Sequence, residues 1–178
     1  MRFTKTAFGL SAAILCSLAS AQPVAVLNGS VEVGQTDFNP FIERLKQDCP
    51  NGVVMDSRWD KALDKLSIMA IVEPRCFNAG QFSTIMLRNF RGKIAAVVFH
   101  YPSNNDTFAE YSDVLTEKYG QKPMRLDQGT LRWTLPAVTI THTQAPDDSM
   151  IIYESVALTA EMAKSDQGQE RQRTKDLL

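Results

Sequence analysis

Two histidines are the side chains best suited to acid–base or metal chemistry, and their placement argues against both uses. His100 and His142 stand alone in separate predicted strands. A protein metal site needs several ligands at the spacing of a helix turn or a hairpin. We expect His100 to be a partly buried core residue beside Tyr101, and His142 to lie on an exposed strand face. The sequence therefore predicts no metal site and no cofactor.

Catalytic motifs are also missing from the sequence. It contains no Gly-x-Ser-x-Gly, no His-Glu-x-x-His and no phosphate-binding glycine pattern. The pair Asp147-Asp148 lies in an Ala-Pro-Asp-Asp-Ser context that is typical of a turn. We therefore assign no catalytic residue. An enzyme would need a site assembled from scattered polar residues.

Two cysteines are left once the first 21 residues are set aside. Cys49 and Cys76 have no histidine close by, and two thiols fall short of the four ligands of a structural zinc site. In an oxidising compartment a lone pair of cysteines is most simply a disulfide. We therefore predict a Cys49–Cys76 disulfide bond. The alternative hypotheses are a reactive thiol and a metal site.

One predicted hairpin tip is a candidate interface. Arg88, Phe90, Arg91 and Lys93 place three cations and one aromatic ring around a turn at Asn89–Gly92. Arginine and exposed aromatic rings are enriched at interface hot spots. The alternative is that Phe90 folds back onto the sheet while the cations stay in water.

The first 21 residues have the pattern of a secretory signal peptide. Arg2 and Lys5 precede an apolar stretch, and Ala19-Ser20-Ala21 is a small-x-small cleavage site, so the mature chain would begin at Gln22. A lipoprotein anchored at Cys16 is the alternative, but a bulky leucine precedes that cysteine. We expect a periplasmic or extracellular protein with no membrane span after cleavage.

Composition and charge indicate a globular domain. Of the 178 residues, 44% are apolar and 22% are charged, and 19 basic residues face 20 acidic ones. This balance argues against nucleic-acid binding, which requires a basic excess. We predict one α+β domain over residues 22–160, followed by a polar tail, residues 161–178, that is disordered or a frayed helix.

The order of predicted elements gives the fold class. Two helices show apolar spacings of three and four residues, and the first begins at Asn39-Pro40. The second begins with a capping box at Thr107, with Asn105 or Asp106 as rival caps, and Gly120 predicts its end. Its predicted buried stripe consists of Phe108, Tyr111, Val114 and Leu115.

Each helix leads into strands, so the chain predicts an antiparallel sheet with helices on one face, and two weak α-then-β halves are one arrangement of it. Ile94 to Phe99 is apolar on both faces, which suggests a central, doubly covered strand. The segment from Val53 to Leu66 is compatible with either a strand or a helix.

A motif in the second half resembles a known group of proteins. A helix ending in Lys-Tyr-Gly120, a strand carrying Trp133 and a strand reading Met-Ile-Ile-Tyr153-Glu-Ser occur in small exported bacterial proteins. This pattern resembles the helix-on-antiparallel-sheet modules of β-lactamase-inhibitor-like and outer-membrane-assembly-factor proteins. The resemblance implies protein binding without catalytic residues.

These observations favour a non-enzymatic, exported binding module that acts on a protein or an envelope component, as an inhibitor, immunity protein or assembly factor does. Two alternatives remain open. One is a secreted hydrolase with a site built from scattered polar residues, and the other is a carrier with a small-ligand pocket between helix and sheet.

Overall fold

A computed structural model of the chain describes residues 24–60 and 65–165. The predicted signal peptide and residues 166–178 lie outside the described residues. The elements follow one another as β1 (Ala25–Val26), β2 (Val31–Glu32), α1 (Phe38–Asp48), β3 (Val53–Asp60), β4 (Lys65–Val72), a 3₁₀ turn (Pro74–Phe77), β5 (Thr84–Phe90), β6 (Lys93–Pro102), α2 (Asn105–Tyr119), β7 (Met124–Arg125), β8 (Thr130–Thr134), β9 (Val138–Thr143) and β10 (Asp148–Ser155). A further helix, α3, occupies residues 156–165.

The eight strands from β3 to β10 form one antiparallel sheet, and β1 and β2 form a separate two-stranded ribbon. The strand order of the large sheet is β3-β4-β5-β6-β10-β9-β8-β7. It therefore consists of two four-stranded meanders that meet where β6 pairs with β10. Helix α1 precedes the first meander and α2 precedes the second, so the predicted α+β class with two α-then-β halves is confirmed. Of the ambiguous segment from Val53 to Leu66, residues 53–60 form β3 and Lys65 begins β4, whereas residues 61–64 lie outside the described residues.

Both helices begin and end for identifiable local reasons. The apolar side chains of α1 at Phe38, Phe41, Ile42 and Leu45 are all buried, as their spacing predicts. Helix α2 starts earlier than its predicted Thr107 cap, because the Asn104 side chain accepts a hydrogen bond from the Thr107 N–H at 2.6 Å.

The end of α2 matches its prediction. Gly120 has a φ of 65°, the left-handed conformation in which glycine is favoured, and its N–H donates to the Thr116 carbonyl at 3.0 Å. The helix therefore stops at Tyr119, where the sequence places the stop signal.

The helices pack against the same face of the large sheet, which we call the helix face. Tyr111 of α2 contacts Tyr101 at a ring distance of 4.8 Å, and Leu115 is buried as predicted. The prediction that Val114 belongs to the same buried stripe is wrong, since its side chain is 52% exposed. Phe38 and Ile42 of α1 belong to the same buried cluster. The strand residues of the helix face are Ala70, Val72, Ile85, Leu87, Val97, Phe99, Tyr101, Leu131, Trp133, Val138, Ile140, His142, Ile151 and Tyr153. We call the opposite side of the sheet the outer face.

A disulfide fastens the end of α1 to the loop after β4. Cys49 and Cys76 are bonded with their Cα atoms 5.6 Å apart, which confirms the predicted pair. Gly52 lies against the bond, and a Cβ at this position would collide with both sulfur atoms. The loop between α1 and β3 therefore requires glycine there.

A bilayer-spanning helix is not found in the described part of the chain, where α2 has 15 residues.

Candidate functional site

The two histidines lie on opposite faces of the large sheet. His142 in β9 points to the helix face, where it pairs across strands with Leu131 and Ile151. His100 in β6 is on the outer face, next to Thr84 and Met150. A single site cannot draw on both imidazoles, because the sheet separates them.

His142 is fully buried, so the prediction of an exposed position is wrong. The prediction that His142 lies in a strand is confirmed. The side of the sheet to which the imidazole points depends on the strand register, which the local sequence Thr-His-Thr does not reveal. The ring stacks against Phe108 of α2 at 4.2 Å. Burial lowers the pKa of His142 to about 4, because the charged imidazolium would lose its hydration.

A hydrogen-bonded chain joins His142 to hydroxyl groups of two other elements. The Ser112 Oγ donates to the Phe108 carbonyl at 2.7 Å and lies 3.0 Å from His142 Nδ1. Because the Ser112 hydroxyl proton is already donated to the Phe108 carbonyl, the His142 Nδ1 must carry a proton and donate it to Ser112 Oγ. The Nε2 of the neutral ring then accepts a hydrogen bond from the Tyr101 hydroxyl. Burial also raises the pKa of Tyr101 to about 12, which keeps that hydroxyl protonated.

This chain contains a serine and a histidine but does not have the arrangement of an activated nucleophile. Activation requires the histidine to accept the serine proton while a third group orients the imidazole. Here the Ser112 proton points to a backbone carbonyl of its own helix. No carboxylate contacts His142 among the hydrogen bonds of the described residues. The arrangement connects α2, β6 and β9 structurally.

His100 has the carboxylate that His142 lacks. Its Nδ1 lies 2.5 Å from the Asp148 Oδ2, at the start of β10. Its Nε2 is buried and meets no hydrogen-bond partner among the described residues. The carboxylate fixes the ring orientation, and among the described residues no hydroxyl is hydrogen-bonded to the imidazole, so His100 activates no nucleophile in this arrangement. Among the described residues there is also no cluster of three or more metal-ligating side chains.

The outer face carries a continuous apolar row across five strands. Cross-strand pairing links its residues as neighbours: Val54, Ile71, Met86, Val98 and Ile152. At about 4.8 Å per strand the row is about 19 Å long. Val54 is 60% exposed, Ile71, Met86 and Ile152 are half-buried, and Val98 within the row is buried between its neighbours. None of the five belongs to the core cluster formed by the helix face.

The same row becomes polar in the second half of the sheet. It continues through Thr141 and Arg132 to Met124 at the edge. Arg132 is half-buried, and its Nε meets no hydrogen-bond partner among the described residues. A buried donor without an acceptor is costly, so this guanidinium is suited to an acceptor supplied from outside the chain.

The predicted interface at the hairpin tip is divided by the structure. Arg88 lies on the outer face beside Met69. Arg91 instead pairs with Glu161 of α3 at 2.6 Å, and its guanidinium lies 5.4 Å from the Phe90 ring centre. Lys93 pairs with Asp37 at 2.8 Å.

The turn itself is shorter than predicted. It has two residues, Arg91 and Gly92, with φ angles of 52° and 78°, which fits a type I′ hairpin. Phe90 is the last residue of β5 and is half-buried. Of the four predicted interface residues, Arg88 thus lies on the outer face, in the row next to the apolar row.

Sequence reasoning missed the outer face because it considered each strand separately. Ile94 to Phe99 suggested a strand covered on both sides, and β6 is indeed central. The alternation Met69-x-Ile71 and the threonines of β9 could have indicated a face different from the core. Only the strand order brings these positions into one row.

Comparison of the chain with models of protein families, with curated proteins and with solved structures gives no match.

Proposed function

We propose that the chain is a non-enzymatic binding module whose outer face contacts a partner protein. The observation that carries the proposal is the outer-face row, in which five neighbouring apolar side chains lead to a half-buried arginine with an unpaired Nε. An apolar centre with polar groups around it is the usual composition of a protein interface.

The outer face carries charges of both signs. Arg88 and Arg132 lie there together with the carboxylates of Asp56, Asp148 and Glu154, of which Asp148 pairs with His100. The two arginines lie in adjacent rows, and no carboxylate among the described residues pairs with either guanidinium. We therefore expect a partner surface that presents apolar side chains to the row and carboxylates to the arginines. Charge-assisted pairs of this kind are strong and orient the partner.

Methionine on this face is suited to an irregular partner surface. Met69, Met86, Met124 and Met150 all lie on the outer face, out of seven methionines in the chain. Methionine has three rotatable bonds and a polarisable sulfur, so it adapts to irregular contacts. The resemblance of the second half to modules that bind other proteins supports the same class of function.

Two observations count against the hydrolase alternative. Among the described residues, no carboxylate is hydrogen-bonded to His142, and no hydroxyl is hydrogen-bonded to His100 beside Asp148. The sheet lies between the two groups, so one substrate cannot meet both.

A site-specific cross-linking experiment tests the binding face. Met86 on the outer face is replaced by the photo-reactive residue p-benzoylphenylalanine in cells that export the protein. The matched control carries the same residue at Val114, which is 52% exposed on α2. We expect a discrete protein adduct from position 86 and none from position 114. Adding Ile152→Lys should remove the adduct, since a charge in the row opposes apolar contact.

Thermal melting of each variant ensures that only folded chains are compared. Equal adducts at both positions, an adduct that survives Ile152→Lys in a folded chain, or the absence of any adduct would each contradict the proposal.

We also propose that the chain is exported. Support comes from the signal-like residues 1–21 and from the Cys49–Cys76 bond, which persists in oxidising compartments. N-terminal sequencing of secreted or periplasmic material should begin at Gln22. Retention of Met1, or a lipid on Cys16, would contradict this assignment.

A further inference from the structure

We propose that a cavity on the helix face binds a small amphipathic carboxylic acid. This aromatic cavity, with a volume of about 310 Å³, lies between the β1–β2 turn, the segment after the 3₁₀ turn, and the last turn of α2. Its volume falls at the lower end of the range for small-ligand sites. The proposal goes beyond the binding function proposed above, because the two sites lie on opposite faces of the sheet.

The walls of the aromatic cavity suit an apolar ligand body. Phe77, Phe99, Ile151 and Tyr153 line it, and each is more than nine-tenths buried within the folded chain. The Phe82 ring lies 4.8 Å from Phe99 and completes the lining on the loop side. The cavity is open to solvent on one side, and its accessible lining includes polar groups as well as these apolar side chains, so an amphipathic ligand fits it better than a wholly apolar one.

The loop that closes one side is held in an unusual conformation. Leu27, Asn28 and Gly29 have φ angles of 53°, 57° and 82°, all in the left-handed region. Asn-Gly favours such a turn, but leucine does not, because its Cβ is crowded in the left-handed conformation. Such strain is concentrated at ligand clamps and active sites.

Further bonds fix this loop in place. The Asn28 Nδ2 donates to the Phe77 carbonyl at 3.1 Å, which joins the turn to the opposite wall. Phe77 directly follows Cys76, so the disulfide restrains the same wall. The cavity is thereby formed before any ligand arrives, and preorganisation lowers the entropy lost on binding.

The polar residues at the rim determine the head group. Asn78, Gln81 and Lys118 lie there, and Lys118 is exposed in the last turn of α2. No carboxylate among the described residues pairs with its ammonium group. The C-terminus of a helix has a partial charge of about −0.5, which the full positive charge of lysine outweighs. An anionic head group therefore fits this rim, and the amide side chains can donate to its oxygens.

Calorimetric titration of the mature chain with octanoate tests the proposal, with octan-1-ol as an uncharged probe of the same length. We expect saturable octanoate binding with a Kd of about 1 mM or tighter. Lys118→Gln should weaken octanoate binding about three- to five-fold and leave octan-1-ol unchanged, as for a partly exposed ion pair. Lys122→Gln, which removes an exposed charge outside the cavity, should change neither.

Two blocking variants locate the binding. Ala79→Leu fills the cavity from within, and Ala25→Trp covers it from an exposed position on β1. Each should reduce the affinity for both probes at least about ten-fold while thermal melting shows a folded chain, since occupied space excludes the ligand. If Ala79→Leu does not fold, Ala25→Trp decides the outcome. Absence of saturable octanoate binding, unchanged affinity in the folded blocking variants, or an equal effect of Lys118→Gln on both probes would overturn the proposal.

Discussion

The two halves of the molecule attach their helices to the sheet by different means. In the first half the end of α1 is fastened covalently by Cys49–Cys76. In the second half α2 is joined by hydrogen bonds from Ser112 through His142 to Tyr101. A disulfide does not depend on pH within the ordinary range, whereas a buried neutral imidazole does. One topology thus contains one redox-sensitive and one acid-sensitive attachment.

The halves also differ on the outer face. The first meander presents Val54, Ile71 and Met86, and β10 extends the apolar row with Ile152, whereas β9 presents Thr139, Thr141 and Thr143. β-branched threonine is a good strand residue, but aliphatic and methionine side chains favour an apolar contact. The change from apolar to threonine-bearing positions therefore falls between β10 and β9 on one continuous surface.

Removing the disulfide is expected to have the largest effect. Cys49 and Cys76 are 27 positions apart, and the chain-entropy relation gives about 3.6 kcal/mol for a loop of that size. The double variant Cys49→Ser/Cys76→Ser should lose about that much unfolding free energy in a urea titration. Reduced wild type is the control and should match the variant. If wild type has the same stability with and without reductant, the first half does not depend on its covalent attachment.

Truncating a buried side chain of α2 is expected to lower the free energy of unfolding by a similar amount. Leu115 is buried against the sheet, and its replacement by alanine leaves a cavity, so Leu115→Ala should cost about 2–5 kcal/mol. The adjacent Val114 is 52% exposed and provides the control. Val114→Ala should stay within about 0.5 kcal/mol of wild type. Equal losses for the two variants in urea unfolding would mean that the assigned face of α2 is wrong.

Acid should weaken the hydrogen-bonded attachment of α2 to the sheet. The pKa of His142 is about 4 in the folded chain and 6.5 in a free side chain, so the unfolded state binds the proton more readily. The stabilisation that neutral His142 gives to the folded chain is fully present above pH 6.5 and is lost as the pH falls towards 4. At pH 5 the free energy of unfolding should be about 2 kcal/mol lower on this account.

A difference measurement isolates that contribution. Urea unfolding of wild type and His142→Gln at pH 7 and pH 5 should show the smaller pH dependence in the variant. Thr143→Gln, at a half-buried position of the same strand that carries no titratable group, is the control and should keep the pH dependence of wild type. An unchanged pH dependence in His142→Gln would show that the acid sensitivity arises elsewhere.

The positions of helices and strands could be predicted from the sequence more reliably than the side of the sheet to which each side chain points. Local signals were sufficient for the apolar spacing of α1, for Gly120 at the end of α2, and for the cysteine pair. Asn104 was missed as the cap, because Thr107 offered an equally good capping pattern three residues later. The face of His142 and the outer-face row depend on long-range strand register, which no local window contains.

Exchanging outer-face residues between the halves is expected to change stability least. Met86→Thr gives the apolar row the kind of side chain that β9 presents, and Thr143→Met does the reverse. Both positions are half-buried and outside the core cluster, and threonine is a good strand residue, so each change should stay within about 1 kcal/mol in urea unfolding. Leu87→Thr on the helix face of the same strand is the contrast, since it places a hydroxyl in the core. A loss above about 2 kcal/mol for Met86→Thr would mean that part of the chain covers the outer face, and that this surface is not available to a partner.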